Sequence, residues 1–291
     1  MEIINNDGLT HNVLVQNSNI FPLPPAPELP GRGVFINAQS GSLNAAIAYN
    51  LIVTDNHTIA TQDDGAPNSL ILDLRGNSTL TTNNSGVPTM RIEGSGTHST
   101  ILTTWEYPNQ VIGSVNPGGG GGILFDQVTF DADGNPSNGF QQVVFGGGEL
   151  KIGSVPPESI SRVSGDGLSF LNTSGSLSIP ILNIGNRGGN GLKIDLSTGS
   201  DFDLTVGSGT IDSDEGDFPG VSASTSGDAQ LCLDLSGLAI TTSETTQDMH
   251  LEQMESSTLG ITQASLNELS TENSGVSVDA SGTIVFGCSI P

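Results

Sequence analysis

The feature that most constrains this chain is a repeated unit in which a glycine-rich turn precedes a short strand of alternating apolar residues. Residues 165–172 and residues 189–196 both show this unit, and residues 227–235 repeat it further along the chain. A period of twenty-odd residues with insertions is typical of a solenoid, in which each coil adds one rung. A β-sandwich would show turns every 8–12 residues or so without this recurrence, so the pattern favours a solenoid.

Short apolar segments of the same kind occur along most of the chain, and each ends at Gly, Asn, Ser or Asp, as strands separated by turns do. Aromatic residues make up only 4% of the chain, which suits a narrow interior filled by small and β-branched side chains. We therefore predict an all-β protein, a right-handed parallel β-helix with short turns and occasional loop insertions. The segments that carry this prediction are residues 70–74, 90–92, 123–125, 142–145, 150–152, 177–179, 231–235 and 283–286.

The N-terminal part of the chain differs in composition from the rest. Residues 21–31 contain five of the 15 prolines, and proline is excluded from sheet interiors and favours an extended polyproline conformation. We predict that residues 1–32 form an N-terminal extension with a Pro-rich connector or cap. Residues 33–291 then form the β-helix, with residues 226–291 as its C-terminal coils.

Charged residues suggest one register between successive coils. Aligning residues 72–76 with residues 90–94 places Asp73 over Arg91 and Arg75 over Glu93, which would give two pairs of opposite charge on the outer face. Exposed ion pairs contribute only about 0–1 kcal/mol each. The alignment therefore predicts a register for these arginines and argues against a catalytic role for them.

The overall charge limits the classes of partner. The chain has 31 acidic and 7 basic residues, for a formal net charge of −24. Nucleic acid is not expected as a partner, because neutralising phosphates requires clusters of Lys and Arg, and an anionic membrane surface is disfavoured by the same sign of charge. A divalent cation, a cationic partner or a neutral glycan is compatible, and the charge also serves solubility.

The two cysteines, Cys232 and Cys288, are far apart in the sequence, at a spacing that fits no zinc or redox motif. They form either two buried thiols or one disulfide that clamps the C-terminal end. The first residues lack the basic and apolar regions of a signal peptide, and no apolar stretch approaches the roughly 18 residues needed to span a membrane. We expect either a cytosolic protein or, preferably, a mature exported fragment that lacks its signal peptide and carries an added Met.

Residues 122–133, 165–171 and 191–195 together resemble bacterial surface parallel β-helix repeat proteins, namely autotransporter-like passengers and outer-membrane adhesins of Gram-negative bacteria. Residues 231–235 and 275–288 are similar to the end of such a repeat block, where a late cysteine also occurs. The resemblance covers roughly residues 33–291 and lies in the style of turn and strand. It implies export to the cell surface or outer membrane and a binding or scaffolding role, with a host or neighbouring cell-surface molecule or a glycan as partner. The resemblance assigns no catalytic residue in this sequence.

Acidic loops suggest Ca²⁺ as the one candidate cofactor, because Ca²⁺ prefers carboxylate oxygens. Asp131 and Asp133 have the alternate spacing that begins an EF-hand loop, but no Glu stands at the twelfth position. Chance clusters are also expected in so acidic a chain. The candidate Ca²⁺ ligands are Asp131, Asp133, Asp212, Asp214 and Asp217, and the pair Asp63 and Asp64 forms a third acidic loop.

An enzyme is the alternative, because polysaccharide lyases and glycoside hydrolases also use this fold. A hydrolase needs two carboxylates about 5–10 Å apart, which Asp126, Asp131 and Asp133 could supply. A lyase needs a basic residue beside acidic metal ligands, which Arg91 or Arg162 could supply. Against an enzyme, glycan clefts are usually lined by exposed aromatic rings, and the chain has one Trp and two Tyr.

Trp105 and Tyr107 lie close together in the sequence and form either a contact patch for a ligand or loop packing. Nucleophilic catalysis has no support, since the four histidines are dispersed and no Gly-x-Ser-x-Gly elbow occurs. We therefore expect a non-catalytic, surface-exposed or secreted β-helix module with an adhesive role.

Overall fold

The computed structural model is a parallel β-solenoid, nearly all β, with one helix among the residues that it describes. Those residues are 1–5, 7, 9–20, 33–39, 42–54, 57–63, 69–75, 79–82, 87–94, 99–106, 110–111, 121–130, 149–152, 165–185, 188–212, 218–242 and 247–290.

Each coil passes through three faces, and the strands of successive coils pair in parallel. Sheet 1 consists of β1 (Glu2–Asn5), β4 (Val34–Ala38), β7 (Ile59–Asp63), β10 (Met90–Glu93), β13 (Ile123–Asp126), β16 (Leu168–Leu171), β19 (Leu192–Leu196), β22 (Val221–Thr225), β25 (Met249–Gln253) and β27 (Val278–Ser281).

The second face carries a four-stranded and a six-stranded sheet. Sheet 2A consists of β2 (Thr10–Gln16), β5 (Ser42–Ala48), β8 (Ser69–Arg75) and β11 (Ser99–Glu106). Sheet 2B consists of β14 (Thr129–Phe130), β17 (Ser174–Ile179), β20 (Asp201–Val206), β23 (Gln230–Leu235), β26 (Thr258–Ile261) and β28 (Ile284–Phe286).

The third face carries sheet 3. It consists of β3 (Asn19–Ile20), β6 (Leu51–Thr54), β9 (Thr79–Thr82), β12 (Gln110–Val111), β15 (Glu149–Ile152), β18 (Ile181–Ile184), β21 (Gly209–Asp212) and β24 (Leu238–Thr241).

The core is the interior of the solenoid, filled by alternate residues of strands such as β10, β16, β19 and β22. Successive side chains of a strand point to opposite sides, so residues paired across parallel strands form columns that are wholly inward or wholly outward. One inward column of sheet 1 is fully buried and consists of Met90, Ile123, Leu168, Leu192, Val221 and Met249. This regular burial of apolar side chains is the main stabilising contribution.

Four phenylalanines fill the interior where β13, β14, β16 and β20 meet. The rings of Phe125 and Phe170 stack with their centroids 5.4 Å apart and their planes 12° apart. Phe130 contacts Phe125 edge to face at 5.2 Å, and Phe202 contacts Phe170 at 5.1 Å. Offset and edge-to-face arrangements of this kind add to the gain from burial, so the interior here is aromatic rather than β-branched.

The prediction of an all-β parallel solenoid is confirmed, and so is the recurrence between the first two glycine-turn units. Leu168 of β16 pairs with Leu192 of β19. The third copy of the unit was assigned wrongly, because residues 227–235 contain β23 of sheet 2B. The strand that follows β19 in sheet 1 is β22, which begins at Val221. Similar glycine turns precede strands on different faces, so the turn alone does not identify the face.

The predicted charge register is wrong. Asp73 lies in β8 of sheet 2A, where it pairs with Ala46 and Thr104. Arg91 lies in β10 of sheet 1, where it pairs with Ala60 and Leu124. The offset from Asp73 to Arg91 is shorter than a full coil, so it joins strands on neighbouring faces instead of successive rungs.

Strands β1, β2 and β3 form the first coil of the solenoid, because they pair with β4, β5 and β6. The solenoid therefore includes part of the segment that the sequence assigned to an extension or cap. The Pro-rich residues 21–32 and the predicted strand at residues 142–145 lie outside the described residues.

Near the C-terminal end, the chain between β26 and β27 forms α1 (Leu266–Glu272). Ser265 caps α1, since its side chain accepts a hydrogen bond from the backbone N–H of Glu268, and Leu269 is buried against the core. The side chain of Asn273 then bonds to β23 and β24. Its Nδ2 donates to the carbonyl of Leu235 at 2.6 Å, and its Oδ1 accepts from the N–H of Leu238 at 2.9 Å. Within the described residues, no helix has the length and apolar character needed to cross a membrane.

Candidate functional site

The outer surface of sheet 1 carries two columns of outward side chains that run across the rungs. From β10 to β19, column A consists of Arg91, Leu124, Ser169 and Lys193, and column B consists of Glu93, Asp126, Leu171 and Asp195. The parallel register fixes these neighbours, because each residue lies beside its pairing partner in the next strand. Residues far apart in the sequence are thereby brought side by side.

A groove of about 330 Å³ lies over these columns, and we call it the sheet 1 groove. Its wall includes the turns before the strands, among them Pro88, Gly121 and Gly165. The side chains that give it its chemistry are Leu124, Leu171, Ser169, Asp166, Lys193 and Asp195.

In column B, Leu171 lies between Asp126 and Asp195, with which it pairs on either side. Rungs of a parallel sheet are about 4.8 Å apart, so the two carboxylates flank Leu171 at a separation of roughly 10 Å. In column A, Leu124 lies between Arg91 and Ser169. The groove therefore has an apolar floor with charged groups at both ends.

Arg91 pairs with two carboxylates beside one end of the groove, outside the residues that line it. Its Nη2 lies 3.3 Å from Glu93 Oε2 and 3.3 Å from Asp126 Oδ2. The Asp126 side chain is only 11% exposed, whereas that of Arg91 is 39% exposed. A mostly buried carboxylate requires a partner of opposite charge, and Arg91 is that partner.

The other end of the groove is built by the repeated glycine turns. Asp166 Oδ1 accepts hydrogen bonds from the backbone N–H of Asn190 at 2.9 Å and from its side-chain amide at 2.8 Å. Asp166 Oδ2 lies 3.6 Å from Lys193 Nζ. Gly189 is required in the next turn, since a Cβ there would lie 2.7 Å from the carbonyl carbon of Gly165.

The charges around the groove sum to a negative value. Asp166 and Asp195 line the groove with two negative charges and Lys193 with one positive charge, for a net −1, and the neighbouring Arg91, Glu93 and Asp126 add a further −1. A net negative groove in a chain of net charge −24 attracts cations and repels anions.

The structure brings together two residues proposed from the sequence, Asp126 and Arg91. Asp212 ends β21 in sheet 3, on another face, and Trp105 lies in β11 of sheet 2A, where its backbone pairs with Leu74. Asp63 ends β7. Outside the described residues lie Asp64, Tyr107, Asp131, Asp133, Arg162, Asp214 and Asp217.

The Ca²⁺ hypothesis gains no support from the described residues, which include no group of three or more His, Cys, Asp and Glu arranged to hold a metal ion. Most of the acidic residues proposed as ligands lie outside that part of the chain.

Cys232 and Cys288, for which the sequence left two states open, are joined in a disulfide. Cys232 lies in β23 and Cys288 follows β28, so the bond lies on sheet 2B and not beside the groove. It attaches the last coil of the solenoid to a strand two coils earlier.

Sequence reasoning missed the groove residues Leu124, Leu171, Lys193 and Asp195 as a group. A usable signal was present, because aligning the units at residues 165–172 and 189–196 places Leu171 beside Asp195 and Ser169 beside Lys193. The alignment of Leu124 with Ser169 had no such signal, since the sequence separation between these two residues is much longer than that between Ser169 and Lys193.

No family model, no curated protein and no solved structure matches this chain.

Proposed function

We propose that this chain is a non-catalytic binding module of adhesin or passenger type, exposed at a bacterial cell surface or secreted, and that the outer face of sheet 1 is its recognition surface. The sheet 1 groove is the observation that carries the proposal. Solenoids present extended, rigid surfaces on which side chains from successive coils hold fixed positions. A groove built from four such coils suits recognition of a macromolecular partner.

The contacts of the groove carboxylates favour binding over catalysis. Asp126 is paired with Arg91, and Asp166 accepts from Asn190 and lies near Lys193. Asp195 accepts a hydrogen bond from the Ser224 hydroxyl at 2.9 Å. Acid and base catalysis needs two groups that exchange protons with the substrate, whereas recognition needs side chains held in place by their neighbours.

Export is supported by the disulfide between Cys232 and Cys288, because disulfides form and persist in oxidising compartments such as the periplasm and the cell surface. The proposed module requires no cofactor. The resemblance to autotransporter-like passengers and adhesins points to the same compartment and role.

The test is retention of the purified protein on host cells and on immobilised extracellular proteins and glycans. We expect saturable retention that is lost in Leu171→Asp, which places a charge on the groove floor. Ile181→Asp is the matched control, since Ile181 is similarly outward but lies on sheet 3. Equal retention of both variants would show that the outer face of sheet 1 is not the recognition surface. If the protein were retained on none of these surfaces, the proposal of a binding module would be contradicted.

An enzyme that cleaves glycans is the second candidate, favoured by the contact between Arg91 and Asp126 beside one end of the groove. The test is incubation with a panel of neutral and acidic polysaccharides, with and without Ca²⁺, followed by analysis of chain length. Depolymerisation that disappears in Asp126→Asn would establish the enzyme and contradict the non-catalytic proposal.

A further inference from the structure

We propose that the sheet 1 groove binds a lysine or arginine side chain of a partner protein, with the aliphatic stem on Leu171 and the charged head beside Asp195. The inference rests on the proposed binding function and specifies the chemistry of the partner.

The size of the groove suits a side chain. Its volume of about 330 Å³ is at the low end of the range of about 300–1,000 Å³ found for small-molecule sites. One or two long side chains fill such a volume, whereas an extended polysaccharide would need a longer cleft.

The floor of the groove matches the stem of a basic residue. Leu124 and Leu171 are outward in sheet 1 and partly exposed, while their strand neighbours Ile123 and Phe170 are buried. Lysine and arginine lay their methylene groups along apolar surface and keep the charged head in water. A partly exposed leucine floor is therefore a complementary surface for such a stem.

The charges match the head of a basic residue. Asp195 lines the groove beside Leu171 in column B, so a cation over Leu171 lies within about one rung of this carboxylate. The charged side chains that line the groove, Asp166, Lys193 and Asp195, have a net charge of −1. The whole chain has a net charge of −24, which steers a basic partner toward the surface.

Other ligand classes fit less well. Acidic glycans and nucleic acids are repelled by the charge of the groove. Neutral sugars are usually bound against exposed aromatic rings, and the aromatic residue that lines the described part of the groove, Phe170, is 1% exposed. A basic protein segment is the ligand that uses both the apolar floor and the carboxylates.

The test uses a fluorescein-labelled peptide with two lysines between glycines, titrated with the intact protein and followed by fluorescence anisotropy. The matched probe is the same peptide with both lysines acetylated, which keeps the stem and removes the charge. We expect saturable binding of the lysine peptide and binding at least about tenfold weaker for the acetylated peptide.

Two isosteric variants locate the site. Asp195→Asn removes one groove carboxylate and is expected to weaken binding of the lysine peptide about five- to tenfold. Glu252→Gln is the control, because Glu252 occupies the same outward column in β25, two rungs beyond Asp195. Its effect is expected to stay below about twofold at physiological salt, where charges outside the contact are screened.

Equal weakening by Asp195→Asn and Glu252→Gln would mean unspecific attraction to an acidic surface and would overturn the inference. Equal binding of the acetylated peptide would overturn the inference as well. So would a neutral oligosaccharide that binds the protein instead of the lysine peptide and no longer binds the Leu171→Asp variant. Retention on cells is measured in parallel. If the Asp195→Asn variant is still retained on cells, the inference that the groove binds a basic residue is contradicted, but the proposed binding function is not. If the protein binds the lysine peptide but is retained on no surface, the proposed function is contradicted and the inference is not.

Discussion

The side chain of Cys288 lies directly over Gly260. A Cβ on Gly260 would lie 2.9 Å from the Cβ and 3.0 Å from the Sγ of Cys288. Gly260 pairs with Cys232 in the neighbouring strand β23, and Cys288 bonds to Cys232 across the outer side of β26. Gly287, which precedes Cys288, has a φ of +70°. The disulfide therefore requires glycine at position 260.

Gly260→Ala is expected to destabilise the protein by about 1–3 kcal/mol, because the added methyl meets a side chain that the disulfide holds in place. The measurement is urea unfolding of the oxidised protein. The same substitution in a Cys232→Ala/Cys288→Ala background should cost clearly less, since the last residues can then move aside. An equal cost in both backgrounds would show that the disulfide is not the cause.

Removing the disulfide by Cys232→Ala/Cys288→Ala is expected to lower the free energy of unfolding by about 2–4 kcal/mol, as for a closed loop of intermediate length. Coils of a solenoid contact only their neighbours, so the loss should be local. Hydrogen exchange should accelerate in β27 and β28 and remain unchanged in β16 and β19. Uniform acceleration along the solenoid would contradict this account.

The Asn273 side chain is fully buried and replaces strand pairing where α1 interrupts the third face. Asn273→Ala leaves the N–H of Leu238 without this bond, whereas the carbonyl of Leu235 keeps a hydrogen bond from Gln263 Nε2 at 3.3 Å. One buried unsatisfied group costs about 1–3 kcal/mol, so we expect a loss of about 1–3 kcal/mol in urea unfolding. Asn267→Ala on the exposed side of α1 is the control and should change stability by less than about 0.5 kcal/mol. Similar losses in both variants would refute the role of Asn273.

The Asp203 carboxyl makes the free energy of unfolding depend on pH. Burial raises the pKa of the Asp203 carboxyl above its ordinary value of 3.8, the nearby charge of Asp201 adds to the rise, and the hydrogen bond from Ser176 opposes it. Above pH 3.8 the folded state therefore binds more protons at this site than the unfolded state, and the free energy of unfolding falls as pH rises through the folded pKa.

Asp203→Asn removes this penalty and should stabilise the protein at pH 7 by up to about 1 kcal/mol, a small value because the carboxyl is partly exposed and screened by solvent. Urea unfolding of both proteins at several pH values tests the sign. The gain in the free energy of unfolding should shrink as the pH approaches 4. A gain that stays constant between pH 7 and pH 4 would mean that it does not come from the Asp203 carboxyl.

The parallel solenoid could be predicted because its signal is local. Alternating strands such as β16 and β19, each after a glycine turn, carry their own period, and the spacing between them is one coil. The face to which a strand belongs could not be predicted, because strands on all three faces show the same alternation. The wrong pairing of Asp73 with Arg91 follows from this ambiguity, since β8 and β10 look alike and lie on neighbouring faces.

The candidate site could be predicted only in part. Asp126 and Arg91 were named because of their chemistry, but their contact depends on a register between strands that are distant in the sequence. Leu171 attracts no attention in the sequence, where a leucine at the end of a strand is ordinary. Its significance comes from its neighbours Asp126 and Asp195, and the variable lengths of the coils conceal them.

The measurement that tests the central claim most directly is methyl NMR of the protein, with labelled leucine and isoleucine, during titration with the lysine peptide. Binding in the groove predicts saturable shifts of the Leu124 and Leu171 methyl signals, while the signal of Ile181, which is exposed on sheet 3, stays in place. Shifts of equal size at Ile181 and Leu171, or unchanged signals at both groove leucines, would contradict the account.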